Sequence, residues 1–270
     1  MSDTPDKPAA RTVTIPAVAP QSKKATFAFG AIGGILAVVA VYFGAMAFAQ
    51  LFIGVYPALR GWSEDETNAW LSDSAAAQFV FVLVVEVLTI LFLYVIMRQR
   101  KVHFRDIGLV RPRLHDFAVS LAAYVPYFLL NAAAIVTASA LLHVDTSQQQ
   151  QTGFESARST TDLLLTFVSL VILPPIVEEI VMRGFLFSGL KRSLPVIKAA
   201  IVTSIIFAIA HLQFGSGAPL LWVAAIDTFI LSLVLCYLRQ RTGSLWAGIG
   251  LHALKNGLAF FAIFILPKFQ

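Results

Sequence analysis

Two adjacent carboxylates and a guanidinium stand inside an apolar run, in Pro174-Pro175-Ile176-Val177-Glu178-Glu179-Ile180-Val181-Met182-Arg183-Gly184-Phe185-Leu186-Phe187. A charge at a bilayer centre costs about 3 kcal/mol on insertion scales and more in simulation, so such groups are expected to be paired and functional. Glu179 and Arg183 are four residues apart and share a helical face, where they can pair. Glu178 is turned about 100° away by helix geometry and has no partner nearby in the sequence. That leaves one carboxylate free for chemistry. Pro175 suits the first turn of a helix, where its missing N–H would be unpaired anyway. That reading puts both glutamates near a helix N-terminus, where the backbone dipole favours negative charge. The plain alternative is an ion-pair knot that only pins helices together.

Two of the five histidines fall in or at the end of apolar runs. In Phe207-Ala208-Ile209-Ala210-His211 the aromatic ring and the imidazole share a face at i, i+4. His252-Ala253-Leu254-Lys255-Asn256 places an imidazole and a carboxamide the same way. A lone buried histidine is most simply a packing residue. Two of them, downstream of a free carboxylate and beside an amide, ask for a shared site. His103, His115 and His143 lie in loops or at run ends and read as solvated or interfacial.

The ordered set Glu178-Glu179-x-x-x-Arg183, Phe207-x-x-x-His211 and His252-x-x-x-Asn256 resembles the motifs of the CAAX prenyl protease and bacteriocin-processing family, also called Abi. The likeness covers roughly residues 160–262, and Phe104-Arg105-Asp106-Ile107-Gly108-Leu109 is similar to the family's juxtamembrane segment. The resemblance implies an intramembrane endopeptidase. In it Glu178 is the general base, His211 helps to hold the water, and His252 and Asn256 position substrate and oxyanion. Glu179 with Arg183 is implied as a supporting pair, with Phe207 beside His211. Peptide hydrolysis needs an activated water and donors for the developing oxyanion, and these residue types supply both. No cofactor is expected. Zinc remains open, because Glu178, His211 and His252 could form a set with one position free for water. The spacing is not His-Glu-x-x-His, the short zinc signature.

The elements that must hold these residues are read from hydrophobicity. The 270 residues are 58% hydrophobic and 13% charged, about half the charge of a soluble domain. An integral membrane protein follows, all-α, a polytopic bundle of seven or eight transmembrane helices. Apolar runs occur at about 26–55, 76–97, 117–142, 162–190, 196–212, 220–238 and 245–266, each near the length that crosses a bilayer. As a single helix the run 162–190 would be about 44 Å long, so Pro174-Pro175 is expected to break or kink it. Residues 1–24 read as a disordered cytoplasmic tail, 25–158 as N-terminal transmembrane helices and 160–262 as the protease domain. Cys236, the one cysteine, lies within an apolar run as a small core residue, with no disulfide or redox motif available.

Arg98, Arg100, Lys101, Arg105, Arg111 and Arg113 follow the second run, Lys191, Arg192 and Lys198 the fourth, and Arg239 and Arg241 the sixth. Positive residues mark cytoplasmic loops, so the N-terminus is expected in the cytoplasm. The basic balance therefore reflects topology and not nucleic acid. The expected partners are the lipid bilayer and a peptide or membrane-protein substrate, and the expected location is a bacterial cytoplasmic membrane. A mainly cytoplasmic opening of the site is expected as well. Glu86 and Asp227 are read as interhelical polar contacts, Asp227 with the further option of bordering the site, and Lys255 as snorkelling or offsetting the glutamates. Two rival functions stay in view: a non-catalytic bacteriocin-immunity or scaffold protein, and a proton-coupled transporter. The transporter would carry flux in liposomes. An immunity scaffold would complement equally well as wild type and as Glu178→Ala.

Overall fold

The computed structural model describes residues 30–147, 150–212 and 220–269. The expected tail at 1–24 lies outside these residues, as do two positions of the Gln148–Gln151 run. Helix α1 covers Ala31–Arg60, a short polar α2 Glu64–Asp73, α3 Ala75–Gln99 and α4 Leu114–Leu142. Helix α5 is the continuous span Thr160–Leu190, α6 covers Val196–Ile209, α7 Trp222–Thr242 and α8 Trp246–Ile265. Six of these are long and apolar enough to cross a membrane, and α6 is a shorter apolar helix. The chain is a polytopic helical membrane protein, with no strand among the described residues.

Local chemistry accounts for the helix ends. Gly61 and Gly243 terminate α1 and α7 in the left-handed region, at φ 66° and 69°, where a residue without Cβ is unstrained. Ser63 and Glu66 close a capping box on α2, and Ser74 caps α3 by accepting from the Ala77 N–H. Helix α1 packs along α3, while α4 packs on α7 and α8. The α4–α8 approach is close because Ser120 lies over Gly250 and its hydroxyl donates to the Ala247 carbonyl at 2.8 Å.

The two prolines do not split α5. The helix widens into a π turn over Val168–Ile172, resumes as α-helix over Leu173–Glu179 with the prolines in its first turn, and widens again over Ile180–Phe187. A π turn takes in an extra residue without breaking the rod. Glu178 and Glu179 therefore close a short α-helical segment inside a longer helix. The dipole argument that set them at a free N-terminus does not hold.

The basic connection after α3 folds inward. Ile107 is fully buried against Gly184 and Leu245, the Gly108 carbonyl accepts from the Leu245 N–H at 3.0 Å, and the Trp246 indole donates to the Val110 carbonyl. Gly108, at φ 96°, lies directly under the Arg239 guanidinium, so both its conformation and its contact demand glycine. This segment fixes the start of α8 at the level of Gly184, more than a turn inside the Leu190 end of α5. Truncating Ile107 to Ala should remove about 2–5 kcal/mol of stability. A thermal unfolding midpoint in detergent unchanged from wild type would contradict this docking role.

Candidate active site

Three helices, α5, α6 and α8, position the site residues. Glu179 and Arg183 come from α5, one turn apart, with 1% and 0% of their side chains exposed. An Arg183 Nη1–H donates to Glu179 Oε1 at 2.7 Å, as the i, i+4 spacing predicts. The same guanidinium lies over the Phe207 ring of α6, 4.5 Å from its centroid, which gives the cation a second, apolar-faced partner. Phe207 in turn contacts both imidazoles, 4.6 Å from His211 and 6.0 Å from His252 between ring centroids. Glu178, Glu179, Arg183, Phe207, His211 and His252 thus form one contiguous cluster.

His252 of α8 sits between the two glutamates. Its Nε2 faces Glu178 Oε2 at 3.8 Å and its Nδ1 faces Glu179 Oε1 at 3.6 Å. Both separations exceed a direct hydrogen bond. His211 is oriented differently. Its Nδ1 lies 2.8 Å from the Phe207 carbonyl, which can only accept, so the proton resides on Nδ1 and Nε2 is left as an acceptor. Glu178 is the more accessible glutamate, with 22% of its side chain exposed.

Runs crossing the bilayer end to end would set His211 near the outer end of its run and His252 near the inner end of its own, yet Phe207 contacts both rings. Helix α6 has 14 residues, roughly 21 Å of rise, so it is shorter than a ~30 Å bilayer core, and His211 follows two residues past its end with its ring against Phe207. Helix α8 starts inset, raised by the Ile107–Gly108 segment, which lifts His252 to the same level. Beyond Gly184, toward the basic end of α5, the space is filled by Ile107, Phe187, Leu190 and Leu245, all fully buried.

Asn256 joins the site through the backbone. Its Nδ2–H donates to the Leu170 carbonyl of the α5 π turn at 2.9 Å. Asp227 and Lys255 form an ion pair at 2.9 Å, and the Tyr127 hydroxyl donates to the second Asp227 oxygen. Lys255 is therefore committed to Asp227. Glu86 is buried on α3. Cys236 is buried in the main apolar core, as expected.

Sequence reasoning missed Gly248. A Cβ there would lie 2.6 Å from Glu179 Oε2, so the buried carboxylate rests on the bare Cα of α8. The available signal was Gly248 one helical turn before His252. The metal set left open by the sequence does not close in this geometry. Among the described residues no three His, Cys, Asp or Glu side chains are grouped to hold an ion.

Removing Arg183 leaves Glu179 buried without its cation, a change that costs about 3–5 kcal/mol. Arg183→Ala should therefore lose folded protein before it affects chemistry, and full thermal stability with lost activity would contradict the structural role. Gly248→Ala should cost about 1–3 kcal/mol, the usual penalty of overpacking. An unfolding midpoint equal to wild type would show that Glu179 does not need that space.

The geometry has a counterpart in known proteins. Residues 160–258 match the family described as Type II CAAX prenyl endopeptidase Rce1-like. No curated protein and no solved structure matches the chain at a significant level. The matched stretch opens with α5 and ends just past Asn256, so it carries the carboxylates, Phe207, both histidines and the carboxamide. Over residues 160–258, from the glutamate-bearing helix to the last histidine helix, this chain is similar to the Rce1-like CAAX prenyl endopeptidase family.

Proposed function

We propose that the protein is an intramembrane endopeptidase that cleaves membrane-associated proteins or peptides with water activated by Glu178. The observation that carries this reading is the facing pair Glu178 and His252, held 3.8 Å apart inside an apolar bundle. A water beside this pair, on the accessible side of Glu178, can donate to its carboxylate. The lone pair on His211 Nε2, fixed by the Nδ1–H bond to Phe207, is a second acceptor on the Phe207 side of the same cluster. Glu178 takes the water's proton as its oxygen attacks the peptide carbonyl carbon. It returns that proton to the amine as the carbon–nitrogen bond breaks, so the carboxylate is regenerated. With the Nδ1 side of His252 turned to Glu179, its Nε2 on the Glu178 side donates to the oxyanion when the ring is protonated.

The pair Glu179–Arg183 supports this arrangement without touching substrate. Glu179 faces the far nitrogen of His252 and holds the ring's orientation, much as carboxylates orient imidazoles in other hydrolases. Arg183 fixes Glu179 and, through Phe207, the wall shared by both imidazoles. Because the residues present do not group as metal ligands, the chemistry is assigned to side chains of this chain alone.

The test uses detergent-solubilised wild type and Glu178→Gln on a library of membrane peptides. Glu178→Gln is close to isosteric but cannot accept the proton, and the loss of a general base lowers turnover by about 10²–10⁴-fold. The variant should keep the wild-type unfolding midpoint, and a metal chelator should leave wild-type turnover unchanged. Equal cleavage by wild type and Glu178→Gln would overturn the reading. Loss of activity on chelation, restored by zinc, would replace it with a metal mechanism.

A further inference from the structure

The π turn preceding the glutamates leaves one backbone carbonyl in an unusual position. The Leu173 N–H bonds to the Val168 carbonyl, five residues back, which sets the wide register at this point. In that register the next partners would be the N–H of residue 174 for Ser169 and that of residue 175 for Leu170. In an α register the N–H of residue 174 would instead serve Leu170. Both positions are proline, and proline has no N–H to give. Whichever register holds, the helix cannot supply a donor to the Leu170 carbonyl.

That carbonyl accepts its hydrogen bond from Asn256 Nδ2, on a different helix. The surroundings leave little alternative, since Ser169 and Val171 on either side are fully buried and Val171 packs on Gly257. Asn256 lies one turn beyond His252 on α8, and Leu170 lies about two turns before Glu178 on α5. The bond therefore ties the two helices whose side chains face each other across the site. We infer that Asn256 is a positioning residue. Its carboxamide replaces the N–H that Pro174 and Pro175 withhold, and so locks the glutamate-bearing turn of α5 against the His252 helix. This departs from the oxyanion role that the resemblance implies for Asn256, and it rests on the reading of Glu178 as the base.

A double-mutant cycle tests the inference directly. Asn256→Ala removes the donor, and Pro174→Ala or Pro175→Ala returns a backbone N–H that can serve Leu170 from within the helix. Steady-state cleavage and thermal unfolding are measured for wild type, each single variant and each combination with Asn256→Ala. Asn256→Ala should lower kcat about tenfold with KM little changed, within the coupling range of contacting residues. In at least one proline-substituted background the same substitution should cost less than about threefold. A loss equal in all three backgrounds would overturn the clamp and favour direct contact between Asn256 and substrate. Asn256→Asp, similar in shape but without the donor, should behave as Asn256→Ala does. The unfolding midpoints decide the clamp separately from the enzymology. Should wild type cleave nothing, the reading of Glu178 fails, while the clamp still requires the midpoint drop caused by Asn256→Ala to shrink when a proline is replaced. Additive midpoints would overturn it.

Discussion

An arginine with no exposed surface inside a membrane helix is the constraint from which the rest follows. Arg183 cannot be hydrated and cannot lose its proton, so its charge has to be met by the protein. Glu179 meets it at 2.7 Å, and the Phe207 face covers what the carboxylate does not. Meeting that charge fixes three helices. The α5 turn must present Glu179 and Arg183 on one side, α6 must bring Phe207 over the guanidinium, and α8 must bring Gly248 under the carboxylate. Once those contacts exist, Phe207 holds the two imidazoles and Glu178 faces His252 without a further device. The ion pair, which the proposed mechanism keeps off the substrate, is what brings these groups together.

Irregular helix geometry does the remaining positioning. Two consecutive prolines inside α5 leave carbonyls of the preceding turn without a helical donor in either register, each worth about 1–3 kcal/mol if left unpaired. The Asn256 side chain of α8 supplies the bond that the Leu170 carbonyl lacks. π turns recur at functional sites because they re-aim side chains without breaking the rod. Here they flank the segment that carries Glu178 and Glu179. The short α6 and the inset start of α8 are further departures from full-length spans, and both bring a histidine to the depth of the carboxylates.

Charge made the site legible in the sequence. Glu178, Glu179, Arg183, His211 and His252 stand out because ionisable groups are rare in apolar runs, and Phe207 because it lies one turn from His211. The seven runs are legible for the converse reason, since long apolar stretches have one structural meaning. Gly248 was not legible, because a glycine that makes room for a carboxylate carries no charge and no period. The continuity of α5 was hidden as well, because Pro-Pro ordinarily ends a helix and the compensating donor lies 86 residues away on Asn256. The depth of each residue was misjudged by taking every run to cross the membrane from end to end. The segment around Ile107 and Gly108 reads as a loop by composition, yet it is packed into the core and sets where α8 begins.

The central claim is that Glu178 activates a water and does not itself attack the substrate. A single turnover in water enriched in the heavy oxygen isotope, followed by mass analysis of product and enzyme, tests that claim most directly. Direct attack by water predicts one heavy oxygen in the new C-terminal carboxylate of the product and none in Glu178. Heavy oxygen in the Glu178 carboxylate, left by hydrolysis of an acyl-enzyme anhydride, would contradict the account and make Glu178 a nucleophile.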